Sequence, residues 1–139
     1  MDDYQLAVGG WIEGVPVGDD GTSFFANTEG KHVGLPVNRR ASIHWLLQFH
    51  GRATHDRLFG DVVLVGPADD EGETQGIPES LLLLLFETLA FAVEVEQLGA
   101  TRWRLVPEVF DDYFVAGAWG LVLSYQRLEV MRVRVIARS

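Results

Sequence analysis

Hydrophobic and polar positions alternate from Tyr4 to Val17, with Tyr4, Leu6, Val8 and Ile12 on one face and Ala7, Gly9, Trp11 and Glu13 on the other, which predicts a strand. Gly9-Gly10 interrupts it, and paired glycines inside a strand mark a bulge or a close backbone approach. Turn residues Gly18-Asp19-Asp20-Gly21 come next, then the β-prone run Thr22 to Ala26. A second turn at Asn27-Thr28-Glu29-Gly30 and a return over Lys31 to Val33 complete the pattern of a hairpin. Pro36 ends extended structure. Asn38 is suited to cap a helix over about 38–50, in which Ile43, Leu46, Leu47 and His50 recur at spacings of three and four before Gly51.

The apolar run Val62-Val63-Leu64-Val65, inside a strand from Leu58 to Gly66, predicts burial on both faces and hence a central strand. Residues 67–76 are acidic and glycine-rich and read as a mobile connection. Pro78 and Glu79 suit a helix start, which predicts a helix over 78–98, apolar nearly all round and stopped by Gly99. Trp103 to Val106, Phe114 to Ala116 and Leu121 to Ile136 read as further β-type segments, the last setting Met131, Val133 and Val135 against Arg132 and Arg134. The expected fold class is therefore α+β: one domain over 1–139, with a mixed or antiparallel sheet packed against two helices.

Size and composition sharpen this only at the margins. A chain of 139 residues, 47% hydrophobic and 11% aromatic, is long and apolar enough to bury a core. It has no cysteine, so disulfide and thiolate chemistry are excluded. The acidic opening Met1-Asp2-Asp3 is unlike a secretory signal. The apolar run Leu81 to Phe86 is broken by Glu87 and Thr88 before it could span a bilayer. A cytoplasmic protein without membrane association is the expectation. The net charge of −9 argues against direct nucleic-acid binding. Residues 1–98 hold sixteen acids and five bases, whereas 99–139 hold four acids and six arginines, so the acidity belongs to the first two thirds.

Candidate chemistry is sparse. Asn38-Arg39-Arg40 sets two cations at a predicted helix start, where the dipole disfavours them, so a compensating anion is expected. That anion is either a ligand held with Gly9, Gly10 and Glu13, or an internal carboxylate such as Glu13 or Asp61. His44, His50 and His55-Asp56 lie close in sequence, but His44 and His50 are six apart and face different sides of a helix, so no metal site is assigned. Glu13 with Asp61, or Ser42 or Ser80, could serve catalysis only without a supporting motif, and no catalytic residue or cofactor is assigned. Phe110, Tyr113, Phe114 and Trp119, around Asp111-Asp112, form an aromatic and acidic cluster suited either to a partner surface or to the core.

Four segments, in order, carry a resemblance: residues 6–13 (Leu-Ala-Val-Gly-Gly-Trp-Ile-Glu), 27–31 (Asn-Thr-Glu-Gly-Lys), 34–41 (Gly-Leu-Pro-Val-Asn-Arg-Arg-Ala) and 59–66 (Phe-Gly-Asp-Val-Val-Leu-Val-Gly). Over about residues 4–80 the chain resembles a family found in phages and actinobacteria, domain of unknown function number three-eight-four-six. The resemblance implies a phage or mobile-element setting and no defined activity. Residues 81–139 resemble nothing named.

Two functional expectations follow. One is a non-enzymatic accessory protein that binds a host or phage protein, with self-association into a homo-oligomer as one form of it. The other is a small enzyme or anion-binding protein with a pocket at Gly9, Gly10, Glu13, Asn38, Arg39 and Arg40, which requires these residues to converge.

Overall fold

The computed structural model describes residues 3–48 and 57–138. These fall into two compact units, one reaching Trp45 and including the segment that ends at Pro78, the other lying mainly from Glu79 onward. The class is α+β, with two antiparallel three-stranded sheets and four α-helices.

In the first unit, helix α1 (Asp3–Val8) precedes strands β1 (Ile12–Pro16) and β2 (Ser23–Asn27), helix α2 (Arg39–Gln48), which belongs to this unit as far as Trp45, and strand β3 (Val63–Val65). The strand expected from Tyr4 to Val17 is thus a short helix followed by a strand. The reason is Gly9, which at φ +78° terminates α1, its amide and that of Gly10 both donating to the Gln5 carbonyl. The hairpin is also re-paired: β2 joins β1, with Ile12 opposite Asn27, while 31–34 is a turn. Hydrogen bonds from Thr22 to Asp20 close the β1–β2 connection.

The sheet order is β1-β2-β3, so β3 is an edge strand and not the central strand expected from its apolar run. Central position falls to β2, whose Phe24 and Ala26 are buried. Phe25 meets Tyr4 of α1 edge-to-face at 5.1 Å, and Phe24 meets His44 of α2 on the other side at 6.0 Å. Helices on both faces satisfy the sheet.

The acidic stretch expected to be mobile is folded on itself: Asp69 Oδ1 accepts from the Glu71 and Glu73 amides, and the Gly66 amide donates to the Gln75 carbonyl at 2.9 Å. A Cβ on Gly66 would land on the Gly76 carbonyl oxygen, whereas one on Gly76 would meet nothing. Gly66→Ala is therefore expected to cost about 1–3 kcal/mol and Gly76→Ala under about 0.5 kcal/mol, read from urea unfolding midpoints.

In the second unit a short helix α3 (Glu79–Leu82) runs into one π-helical turn (Leu83–Glu87), closed by Thr88 Oγ1 donating to the Leu83 carbonyl. Strand β4 (Phe91–Gln97) follows, then β5 (Trp103–Phe110), helix α4 (Tyr113–Gln126) and β6 (Val130–Ala137). The helix expected over 78–98 is corrected here: its second half is a strand, and Gly99 sits in the β4–β5 turn at φ +79°. The expected β segments at 114–116 and from 121 belong to α4 up to Gln126. Asp112 starts α4 by accepting from the Phe114 and Val115 amides at 2.8 and 3.0 Å.

Sheet order is β5-β4-β6 with β4 central. Phe91, Val93, Val95, Val133 and Val135 are buried on strands, and Tyr113, Ala116 and Gly120 on α4. A Cβ on Gly120 would sit 3.3 Å from Val93 Cγ1, so its absence is what allows the helix to lie this close to the sheet. Arg132 forks onto Glu96 at 2.9 and 2.6 Å, and Arg134 Nε donates to Glu94 at 2.9 Å. Both guanidiniums lie over Trp103, at 5.2 and 4.1 Å from the ring.

Candidate functional site

Gly9 and Gly10 are placed by the end of α1. Asn27 Nδ2 reaches across to donate to the Val8 carbonyl at 3.2 Å, and a Cβ on Gly10 would stand only 2.9 Å from that nitrogen. The close approach expected of this glycine pair is therefore an intramolecular one, by Asn27.

Asn38 is equally committed. Its Oδ1 accepts from the Ala41 amide at 3.0 Å as the cap of α2, its Nδ2 donates to the Gly60 carbonyl at 3.0 Å, and its own amide donates to the Leu58 carbonyl. Arg39 and Arg40 line an open hollow of about 400 Å³ with Pro36, Gly60 and Asp61. Asp61 supplies a carboxylate to the same hollow. Gly9, Gly10 and Glu13 do not line that hollow.

Glu13 belongs to a different cavity of about 310 Å³, lined also by Ala26 of β2 and Trp45 of α2. Lys31, His32 and Arg57 share this cavity. Sequence reasoning missed all three. Lys31 is the chain's only lysine, which was a visible signal, but its partners come from a turn and from the segment before Leu58, and no local pattern joins them.

His44 is buried at 3% exposure against Phe24, and desolvation lowers its pKa from 6.5 to about 4 although the charge of Asp20 pulls the other way. It is a neutral core residue at pH 7. His50, His55 and Asp56 lie outside the described residues. Among the described residues no group of three or more His, Asp or Glu side chains could hold a metal ion.

The aromatic cluster divides. Tyr113 is buried between Phe91 and Phe114, with ring centroids 6.0 and 5.1 Å away, and burial pushes its hydroxyl pKa up. Phe110 and Trp119 pack on each other at 5.5 Å, and with Phe114 they are half-buried. The more exposed apolar side chains of α4 are instead Val115 (55%), Val122 (51%) and Tyr125 (58%). Leu128 just beyond the helix is 95% exposed, and so is Leu98, at 70%, whose amide donates to the Glu129 carbonyl. No charged residue occurs from Tyr113 to Gln126, a signal the sequence contained.

The family model for the domain of unknown function DUF3846 matches residues 1–90. The chain belongs to that family. The match covers the whole first unit and ends immediately before β4, so the sheet β5-β4-β6 and helix α4 lie beyond it. No curated protein matches the chain. No solved structure matches it either. Among the described residues no helix is long and apolar enough to cross a membrane.

Proposed function

We propose that this chain is a non-enzymatic accessory protein of a phage or mobile element that acts in the cytoplasm by binding another protein through the outer face of α4. The observation that supports this reading is a helix of fourteen residues without a charge, whose small residues Ala116 and Gly120 face the sheet while Val115, Val122 and Tyr125 face outward. A surface helix normally presents polar residues to water, and depletion of charge with aromatic enrichment is the signature of an interface core. Leu128, two residues beyond the helix, and Leu98 are exposed apolar side chains as well. The phage setting rests on the family resemblance alone, and the cytoplasmic setting on composition.

The test compares the tagged protein with its Val115→Asp/Val122→Asp variant in capture from host extract and in sedimentation velocity. Both positions are more than half exposed, so circular dichroism and melting are expected to be nearly unchanged. Capture of a specific protein is expected to fall by about tenfold or more, in line with a charge placed in an apolar interface. A dimer dissociated by the same substitutions would identify the partner as a second copy. Identical captured proteins and identical sedimentation for both forms would sink the reading.

A further inference from the structure

The second unit contains a crevice between β5 and one flank of α4, separate from the outer face of that helix. Its origin is the pairing of β5 with β4. Ala92 lies opposite Val109 and Glu94 opposite Leu105, so Val93 alone faces Val106, Pro107 and Glu108. Pro107 has no amide to give to the ladder, and surplus residues on one strand bend it away from its neighbour. The cavity beside this bulge measures about 210 Å³. Its helical wall is Trp119, Leu123 and the capping Arg127, successively four residues apart and hence on one flank of α4. Val95 and Val130 add buried apolar groups from β4 and β6.

The charged groups on the lining are Arg104, Arg127 and Glu108, all exposed at its rim. Arg104 lies opposite the buried Val95, which sets both side chains on the side of the sheet that carries α4. Arg132 and Arg134, on the opposite side, are paired with Glu96 and Glu94. Among the described residues neither Arg104 nor Arg127 has an ion-pair or side-chain hydrogen-bond partner, and nor has Glu108. The same holds for the Gln97 amide and the Trp119 indole N–H, which also belong to the lining. Two guanidiniums against one carboxylate leave a single surplus positive charge here, in a chain whose net charge is −9.

We propose that this crevice binds a compact apolar carboxylate, an acid with one negative charge and a hydrocarbon body no larger than an amino-acid side chain. The charge count sets the valence: one surplus positive charge suits a monoanion, whereas a phosphate dianion would set its second charge against Glu108. The guanidinium forks of Arg104 and Arg127 match a planar carboxylate, and Gln97 and Trp119 add neutral donors. The body lies against Leu123, Val95 and Val130, and its removal from water adds affinity. A cavity of about 210 Å³ is below the range for drug-sized molecules, which limits the size of that body. Such a group comes in two forms, a free small acid and the C-terminal residue of a polypeptide. The site is independent of any protein bound to the outer face of α4.

Amide chemical-shift titrations of the full chain test this, with 4-methylpentanoate, its amide, inorganic phosphate, and a short peptide ending in leucine as free acid or amide. Both acids are expected to give saturable shifts in residues 95–97, 104–108 and 119–127, with the amides at least about tenfold weaker. Equal affinity for the two acids would identify the small acid as sufficient, and a peptide acid tighter by about tenfold or more would identify a chain terminus as the natural form. Arg104→Gln and Arg127→Gln are each expected to weaken binding by about tenfold. Arg138→Gln, at the other end of the sheet, is expected to leave it unchanged. Circular dichroism of each variant controls for folding. The absence of saturable shifts at millimolar acid, amides or inorganic phosphate binding as well as the acids, or affinity indifferent to both arginine substitutions would each overturn the assignment.

Discussion

Phe91→Ala is expected to remove about 3–5 kcal/mol of stability, the range for emptying a phenylalanine site in a packed core. Phe91 is 3% exposed, opens the central strand β4 opposite Phe110 and Ala137, and presents its ring to Tyr113 at 6.0 Å. Tyr113 is itself buried, so the space left by the missing ring is enclosed and cannot fill with solvent at no cost. Against a total stability of about 5–15 kcal/mol for an ordinary domain, such a loss is a large fraction. Phe86, five residues earlier, is 71% exposed on the π-helical turn, and Phe86→Ala is expected to change stability by under about 0.5 kcal/mol. Urea unfolding of the two variants measures the contrast. Equal costs would mean that the two phenylalanines share one environment, which the observed change from helical turn to strand between them does not allow.

That contrast falls where the sequence was hardest to read. Leu81 to Phe86 is apolar without interruption, and a continuous apolar run has no period to separate helix from strand. The decisive pattern came just after it. Val93-Glu94-Val95-Glu96 alternates with period two, and it complements Arg132-Val133-Arg134-Val135, with Glu96 opposite Arg132 and Glu94 opposite Arg134. Matching acids to arginines along the chain is enough to pair these two strands. Helix α4 was obscured for a different reason. Its Phe, Val, Trp and Tyr residues have β propensity and its glycines are poor helix formers, yet Gly120 is kept small by the approach of the sheet. Tertiary packing overrides propensity here, and the local sign that survives is the Asp112 cap.

The candidate sites divide in the same way. Asn38 as the cap of α2 was legible because a cap is a local chemical requirement, and its Oδ1 makes the expected bond. Gly9 and Gly10 were legible as special backbone, but whether they end a helix or bend a strand depends on the Gln5 carbonyl and on Asn27, one before and one well beyond the pair. The gathering of Lys31, His32 and Arg57 about Glu13 follows from strand pairing and from the packing of α2, which no window of the sequence reports.

Acid is expected to destabilise the first unit through His44. In the unfolded chain this imidazole takes a proton near pH 6.5, whereas in the folded protein burial delays protonation until about pH 4. The unfolded state therefore binds more protons between these values, and stability rises with pH across that window. The contribution is fully present above 6.5, declines as pH falls, and declines no further below about 4. The gap, at about 1.4 kcal/mol per tenfold change in proton affinity, amounts to about 3 kcal/mol. His44→Leu keeps an apolar side chain against Phe24 and removes the titration. Urea unfolding at pH 7.5 and pH 4, followed by the fluorescence of the neighbouring Trp45, is expected to show the natural protein losing about 3 kcal/mol more than the variant. Carboxylates that titrate in the same range are common to both proteins and cancel in the difference. Parallel pH profiles for the two would place the His44 ring in contact with water, whereas a steeper profile for the natural protein keeps it as a core residue.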